Sequence, residues 1–382
     1  MDFESLFDIP IDDLHTPCYL TDARLLQKNT TLLKQIQQRT GCKILLAQKA
    51  FSMFSAYPLI RDDLAGTTAS GLFEAKLGRE HFGKEVHVFS PAYTQEDFTQ
   101  LLELCDHIVF NSFGQWKKYR QQVQDATRNI SCGIRINPGY AEVETDLYNP
   151  CISGSRMGVP LEQMEDDFAG MDGIHFHTMC EQNSDVLERT LDHMLPQFDK
   201  WLKRCKWVNF GGGHHITRPD YDVERLVRCI ERVRDTYGVQ VYLEPGEAVA
   251  LNAGYLVATV LDVVHNGMDI AILDASAACH MPDVLEMPYR PHILYSGTAG
   301  EKAYTYRLAG NTCLAGDVIG DYSFDHQLQA GEKLVFCDMA IYSMVKNNTF
   351  NCVPLPDIAL YQDGKIQLVK RFGYIDFEGR LS

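Results

Sequence analysis

The chain has 382 residues, 45% hydrophobic and 23% charged, with a formal net charge of −16 at pH 7. That length exceeds what one hydrophobic core usually supports, and the acidic balance argues against a nucleic-acid partner. Met1-Asp2-Phe3-Glu4 is acidic where a secretory leader needs a basic start, and no apolar run approaches the ~20 residues of a membrane span, so a cytoplasmic location is expected. The twelve cysteines are scattered without a C-x-x-C pair. This fits a reducing compartment and indicates neither a zinc cluster nor a disulfide framework; no metal site is expected.

Thr16-Pro17-Cys18-Tyr19-Leu20 reads as an edge strand, and residues 23–38 as a helix. Eight short apolar runs follow, at residues 44–48, 66–69, 86–89, 108–110, 133–136, 173–176, 208–210 and 241–243. Helical patterns separate them at 52–64, 73–81, 95–105, 115–126, 161–168, 186–205 and 223–237. Strand–helix alternation implies parallel strands, and eight such units imply a (β/α)8 barrel over residues 22–255. Lys49, Ser70, Ser90, Asn111, Asn137, His177, Gly211 and Glu244 fall at the ends of the eight runs and would ring one mouth, where such barrels do their chemistry. From residue 256 the texture changes to β-rich runs at 256–265, 270–273, 304–308, 333–336, 358–361 and 366–371. They read as a sandwich or barrel-like domain of residues 256–382, which residues 1–21 complete.

Several motifs carry possible chemistry. Lys49 ends a buried run, where a lysine is costly to desolvate without a partner or a covalent bond; the bland alternative is a lysine that snorkels to the surface. Gly211-Gly212-Gly213 after the seventh run lets backbone approach an anion, or is simply a turn. Glu244 closes the eighth run, either as a mouth carboxylate or as a turn acid. His175 and His177 point the same way on a strand; a core histidine is the default. Cys313 reads from composition as a small packed hydrophobe, with Asp317 four residues on, and Tyr342 either donates to an anion or caps the core.

In this order, the pieces resemble the fold-type III decarboxylases that depend on pyridoxal phosphate, the group of diaminopimelate, ornithine and arginine decarboxylases. Ala47-Gln48-Lys49-Ala50-Phe51, Asn209-Phe210-Gly211-Gly212-Gly213-His214-His215, Leu243-Glu244-Pro245-Gly246-Glu247-Ala248 and Gly310-Asn311-Thr312-Cys313 carry the likeness, which runs from Thr16-Pro17 to Phe350-Asn351. The resemblance implies an alanine-racemase-like barrel with Lys49 as the Schiff-base lysine, His177 stacked on the cofactor ring and Glu244 on its pyridine nitrogen. It also implies that Gly211, Gly212, Gly213 and Tyr342 hold the phosphate. Cys313 would come from the second subunit of a homodimer and protonate the product carbon. Relatives typically read Glu-Pro-Gly-Arg where this chain has Glu247, and tend to place an arginine where Asp283 stands. Both departures run from cation to anion, which disfavours a distal carboxylate and favours amines. Glu247, His280, Asp283 and Asp317 are therefore expected at the substrate, an α-amino acid with a polyamine tail such as carboxynorspermidine or carboxyspermidine, decarboxylated to norspermidine or spermidine. The alternatives are diaminopimelate or arginine decarboxylation, or a non-catalytic pyridoxal-phosphate-binding protein.

Overall fold

A computed structural model describes Glu4 and residues 7–382 of the chain; the acidic start at Met1-Asp2-Phe3 lies outside the described residues. Two compact units emerge, Gln27–Val249 and the combination of Met1–Leu26 with Ala250–Ser382.

Strands are numbered along the chain. β1 (Cys18–Asp22) belongs to the second unit. The first unit contains β2 (Lys43–Ala47), β3 (Gly66–Ala69), β4 (Glu85–Phe89), β5 (His107–Phe110), β6 (Ser131–Asn137), the short β7 (Val159–Pro160), β8 (Gly173–His175), β9 (Trp207–Asn209) and β10 (Gln240–Leu243). Eight of these strands pair in parallel in the order β5-β4-β3-β2-β10-β9-β8-β6, and a β5–β6 pairing closes the ring, with β7 attached to β6 outside it. This is the (β/α)8 barrel that the alternation of runs implies. Its strands are buried on both faces, which is why they read as short continuous apolar runs.

The interior fills by the two-residue period of a strand. Leu45, Val109, Trp207 and Tyr242 form one packed cluster. Trp207 takes the space left by two glycines: a Cβ on Gly133 or Gly173 would lie 2.2 or 2.1 Å from its indole. One step further along the same strands comes the next inward layer, which contains Ala47, Phe89, Arg135, His175 and Asn209. Lys49 and Glu244 continue that inward series just past the ends of β2 and β10. The barrel's own alternation thus aims both at the mouth.

Some local expectations fail. Residues 161–168 form only one 3-10 turn, Leu161–Gln163, because Glu162, Glu165, Asp166 and Asp167 leave too few apolar residues for a buried stripe. Residues 52–64 give a 3-10 turn and a four-residue helix, Tyr57–Ile60, since Pro58 cannot sit inside a longer helix. Other helices follow the pattern closely. Val223–Tyr237 starts on the Asp222 side chain, which accepts from Arg225 N–H, and ends at Gly238 with φ of 67°.

The second unit adds β11 (Gly254–His265), β12 (Asp269–Leu273), β13 (Gly297–Thr298), β14 (Tyr304–Ala309), β15 (Val318–Phe324), β16 (Lys333–Cys337), β17 (Asp357–Gln362) and β18 (Lys365–Lys370). They form one mixed sheet in the order β13-β15-β14-β12-β11-β1-β17-β18, with β16 also on β11. β1 is not an edge strand: it pairs antiparallel with β11 and parallel with β17. Pro17 precedes the strand and contributes only its carbonyl, which accepts Asp357 N–H at 2.8 Å. Cys18, Leu20, Tyr255, Val257, Val335 and Ala359 belong to this unit's core.

Candidate active site

The barrel mouth contains a small cavity of about 60 Å³ lined by Lys49, Phe89, Arg135, His175, His177, Gly212 and Glu244, among others.

Lys49 reaches solvent through this cavity, although protein crowds its amine closely. Desolvation, then the charge of Arg135, pulls its pKa below the ordinary lysine value, against Glu244. The shift increases the fraction of neutral, nucleophilic amine.

Glu244 is buried. Its Oε1 accepts from Asn209 Nδ2 at 2.7 Å and its Oε2 lies 3.3 Å from His175 Nε2. Burial by itself would push the carboxyl up; His175 and Asn209 outweigh it and keep the group ionised. Burial also lowers the pKa of His175. At neutral pH the pair is therefore a carboxylate accepting from a neutral imidazole, which needs only one ring proton. Register explains the assembly: His175 stands opposite Asn209 and Arg135 opposite His175 on neighbouring strands.

Arg135 is a cavity residue that sequence reading passes over. Its guanidinium lies 4.6 Å from the centre of the Phe89 ring and donates to the His177 carbonyl at 3.3 Å, and burial lowers its pKa to about 10. The signal was an arginine in phase with Gly133 on an apolar strand. Asn209 was legible only as the residue before Phe210-Gly211.

The glycine loop packs tightly. Cβ atoms on Gly211, Gly212 and Gly213 would come within 2.4, 2.7 and 2.0 Å of the carbonyls of Phe176, Glu244 and Met179. Gly211 N–H donates to Asn209 Oδ1 at 2.8 Å and Gly212 N–H to His177 Nδ1 at 2.7 Å. Two of the three amides are thus engaged within the protein. Glu247 Oε1 faces His215 Nε2 at 3.6 Å.

The remaining expected site residues lie in the second unit. Cys313 is exposed on the loop between β14 and β15, its N–H donating to Asn351 Oδ1 at 2.9 Å. Tyr342 sits in a turn at φ of 51°. Asp317 is buried, its carboxylate accepting from Ser276 Oγ at 2.8 Å, Thr312 Oγ1 at 2.7 Å and Ala278 N–H at 3.1 Å. The ring of His280 lies 3.2 Å from Ser276 N and 3.0 Å from the Pro354 carbonyl. Asp283 is ion-paired with Lys346. Three residues expected at the substrate are therefore occupied within their own unit.

At the N-terminal end of the barrel, donor atoms of Glu85, His87 and His107 lie within 4.8 Å of one another. The two imidazoles stack at 3.9 Å with planes 6° apart, so their nitrogens point along parallel lines and not at one ion. Glu85 is already paired with Lys43.

A barrel whose mouth joins a lysine of lowered pKa, a buried ionised glutamate and a glycine-rich loop suits a small aromatic anion that binds covalently to an amine. Unpartnered buried polar atoms on two lining residues, Arg135 Nε and His175 Nδ1, point the same way. Residues 18–340 match the family model described as pyridoxal-dependent decarboxylase, C-terminal sheet domain, and the chain belongs to that family. It is similar to carboxynorspermidine/carboxyspermidine decarboxylase of Campylobacter jejuni, with 42% identity over 97% of this chain and 99% of the relative. It is similar also to carboxyaminopropylagmatine decarboxylase of a Synechocystis strain, with 41% identity over 97% of this chain and 96% of the relative. The crystal structure of the Campylobacter jejuni carboxynorspermidine decarboxylase complexed with norspermidine superposes with a TM-score of 0.89 and 40% identity, covering 96% of this chain and 100% of that one. The protein is a pyridoxal-phosphate-dependent decarboxylase. No helix among the described residues is long and apolar enough to cross a membrane.

Proposed function

We propose that the protein removes carbon dioxide from an α-amino acid whose side chain is a polyamine, carboxynorspermidine or carboxyspermidine, yielding norspermidine or spermidine in the cytoplasm. The observation that carries the chemistry is Lys49 and an ionised Glu244 in one cavity; near-full-length similarity to the Campylobacter jejuni enzyme carries the substrate. The Synechocystis relative, equally similar, supports a second reading, carboxyaminopropylagmatine. The three acids share a carboxylated aminopropyl head joined to a secondary amine and differ in what lies beyond it.

Bound pyridoxal phosphate supplies the covalent handle for the substrate amine and the sink for the electron pair left when carbon dioxide departs. Lys49 is the attachment point. Glu244, kept anionic by Asn209 and His175, holds a proton on the pyridine nitrogen. His177 covers the ring face, its orientation fixed by Gly212. The glycine loop and Tyr342 take the phosphate. The exposed Cys313 gives a proton to the product carbon from the partner subunit of a homodimer. A panel of carboxynorspermidine, carboxyspermidine, carboxyaminopropylagmatine, diaminopimelate, ornithine and arginine, read by carbon dioxide release, tests the assignment. The highest kcat/KM should fall on one of the first three; preference for diaminopimelate, ornithine or arginine would overturn it.

A further inference from the structure

We propose that His215 is a ligand of the cofactor's phosphate, with Glu247 holding its ring in place. The inference rests on the reading of the barrel mouth as the pyridoxal-phosphate site.

His215 stands two residues beyond the triple glycine, on the loop after the seventh barrel strand, and Glu247 opens the four-residue helix that follows the eighth. The connections after these two strands are where (β/α)8 enzymes most often build a phosphate site. The His215 side chain is only 9% exposed, and neither ring nitrogen has a hydrogen-bond partner among the described residues. Buried polar groups are nearly always partnered, so such an imidazole calls for an explanation. The Glu181 backbone carbonyl is close enough to favour a ring proton but falls short of hydrogen-bond geometry.

The neighbouring amides make the need concrete. With Gly211 N–H given to Asn209 and Gly212 N–H to His177, an anion at this loop finds few backbone donors and must take others. Glu247 Oε1, 3.6 Å from His215 Nε2, would repel a phosphate facing it directly. An imidazole between the two, one nitrogen toward Glu247 and the other toward the phosphate, turns that repulsion into a relay of attractions. Burial, then Arg218, holds the ring neutral with a pKa of about 4 in the protein alone; a dianion beside it reverses the balance and favours the cation.

The test compares pyridoxal phosphate with pyridoxal, which lacks only the phosphate, for equilibrium binding to full-length apoprotein by absorbance. The wild type should bind the phosphorylated form far more tightly. His215→Leu should shrink that ratio by about tenfold or more, the worth of a hydrogen bond to a charged group, with the affinity for pyridoxal and the apoprotein Tm unchanged. His215→Asn, which keeps a donor, should recover part of the ratio, and Glu247→Gln should lower it less than His215→Leu. A wild-type ratio in His215→Leu overturns the proposal and leaves the cofactor reading standing. A wild type that binds both forms equally overturns both. Should His215→Leu not fold, inorganic phosphate added to wild-type apoprotein must shift the His215 imidazole nitrogen resonances; resonances that stay in place overturn the proposal.

Discussion

Gly212 donates its backbone N–H to Nδ1 of His177 at 2.7 Å. One bond thereby sets two features of the mouth. It removes an amide from the glycine loop's stock of anion donors, and it fixes the tautomer of His177, whose remaining ring proton must sit on Nε2. Burial, and then the nearby charges of Lys49 and Arg135, keep His177 neutral well below its ordinary pKa. His177 therefore presents an uncharged, oriented ring to the cavity, as a stacking surface requires. Replacing it with alanine should weaken cofactor binding, and replacement with phenylalanine should preserve more of it. Equilibrium binding of pyridoxal phosphate checks this; equal affinity in both variants would deny a stacking role.

Lys49 predicts a pH signature. Its folded pKa lies below its unfolded value, chiefly through desolvation. Between those two pKa values the unfolded chain holds the proton more tightly, so this residue's contribution to stability rises with pH; below the folded pKa the penalty is present in full. Lys49→Met should accordingly raise the Tm of the apoprotein at neutral pH, with the gain fading as pH approaches the ordinary lysine range. The same variant should lose decarboxylation and covalent cofactor attachment. A lower Tm at neutral pH, or retained turnover, would contradict the role given to Lys49.

Glu244 and Asn209 should separate binding from chemistry. Glu244→Gln keeps the shape but, under the proposed role, loses the carboxylate that would hold a proton on the pyridine nitrogen. It should cut kcat by about a hundredfold or more, with the cofactor still bound. Asn209→Ala removes one donor to Glu244 and one acceptor for Gly211 N–H, so it should lower kcat less but loosen the cofactor more. Single-turnover kinetics alongside cofactor affinity would distinguish the two patterns.

Cys313 is exposed on its loop, as the proposed role across a subunit interface needs. Cys313→Ala should slow product formation and leave cofactor affinity unchanged. If the site is shared across a two-fold interface as proposed, mixing inactive Lys49→Ala subunits with Cys313→Ala subunits should restore about a quarter to half of the sites, because one site of each heterodimer would then combine the two intact residues. Confirmed heterodimers without recovery would place each site within a single chain.

The barrel strands were legible because parallel strands buried on both faces leave compact apolar runs at regular spacing, and Lys49 was legible as the residue that ends the first of these runs. β15 escaped notice because Gly320 and Asp321 interrupt its apolar pattern, although Tyr322 and Phe324 are buried. Arg135 escaped because a charged residue inside an apolar run reads as noise until its neighbours are known. The placement of Asp317 and Asp283 was beyond sequence in another way. Acidity suggests an amine-binding role, but only tertiary contacts reveal that Ser276, Thr312 and Lys346 already satisfy them. Likewise, Glu247 is visible in sequence as a departure from a cationic pattern, whereas its approach to His215 emerges only in three dimensions.

The barrel interior makes a prediction about stability independent of function. Gly173 and Gly133 are needed where Trp207 crosses the interior: a Cβ on Gly173 would sit 2.1 Å from Trp207 Cδ2, and one on Gly133 would sit 2.2 Å from Cη2. Neither glycine has a left-handed φ, so alanine there is opposed by space and not by backbone conformation. The indole cannot retreat easily, since its Nε1–H donates to Ser131 Oγ at 2.9 Å and its ring packs with Leu45, Val109 and Tyr242. Gly173→Ala should therefore destabilise the protein by about 1–3 kcal/mol, the usual cost of overpacking a core. In a Trp207→Leu background, itself destabilised by the lost packing, the same substitution should cost much less, because the atoms it strikes are gone. A double-mutant cycle by chemical denaturation measures the coupling directly. Equal costs in both backgrounds would mean that Trp207 is not what the glycine accommodates.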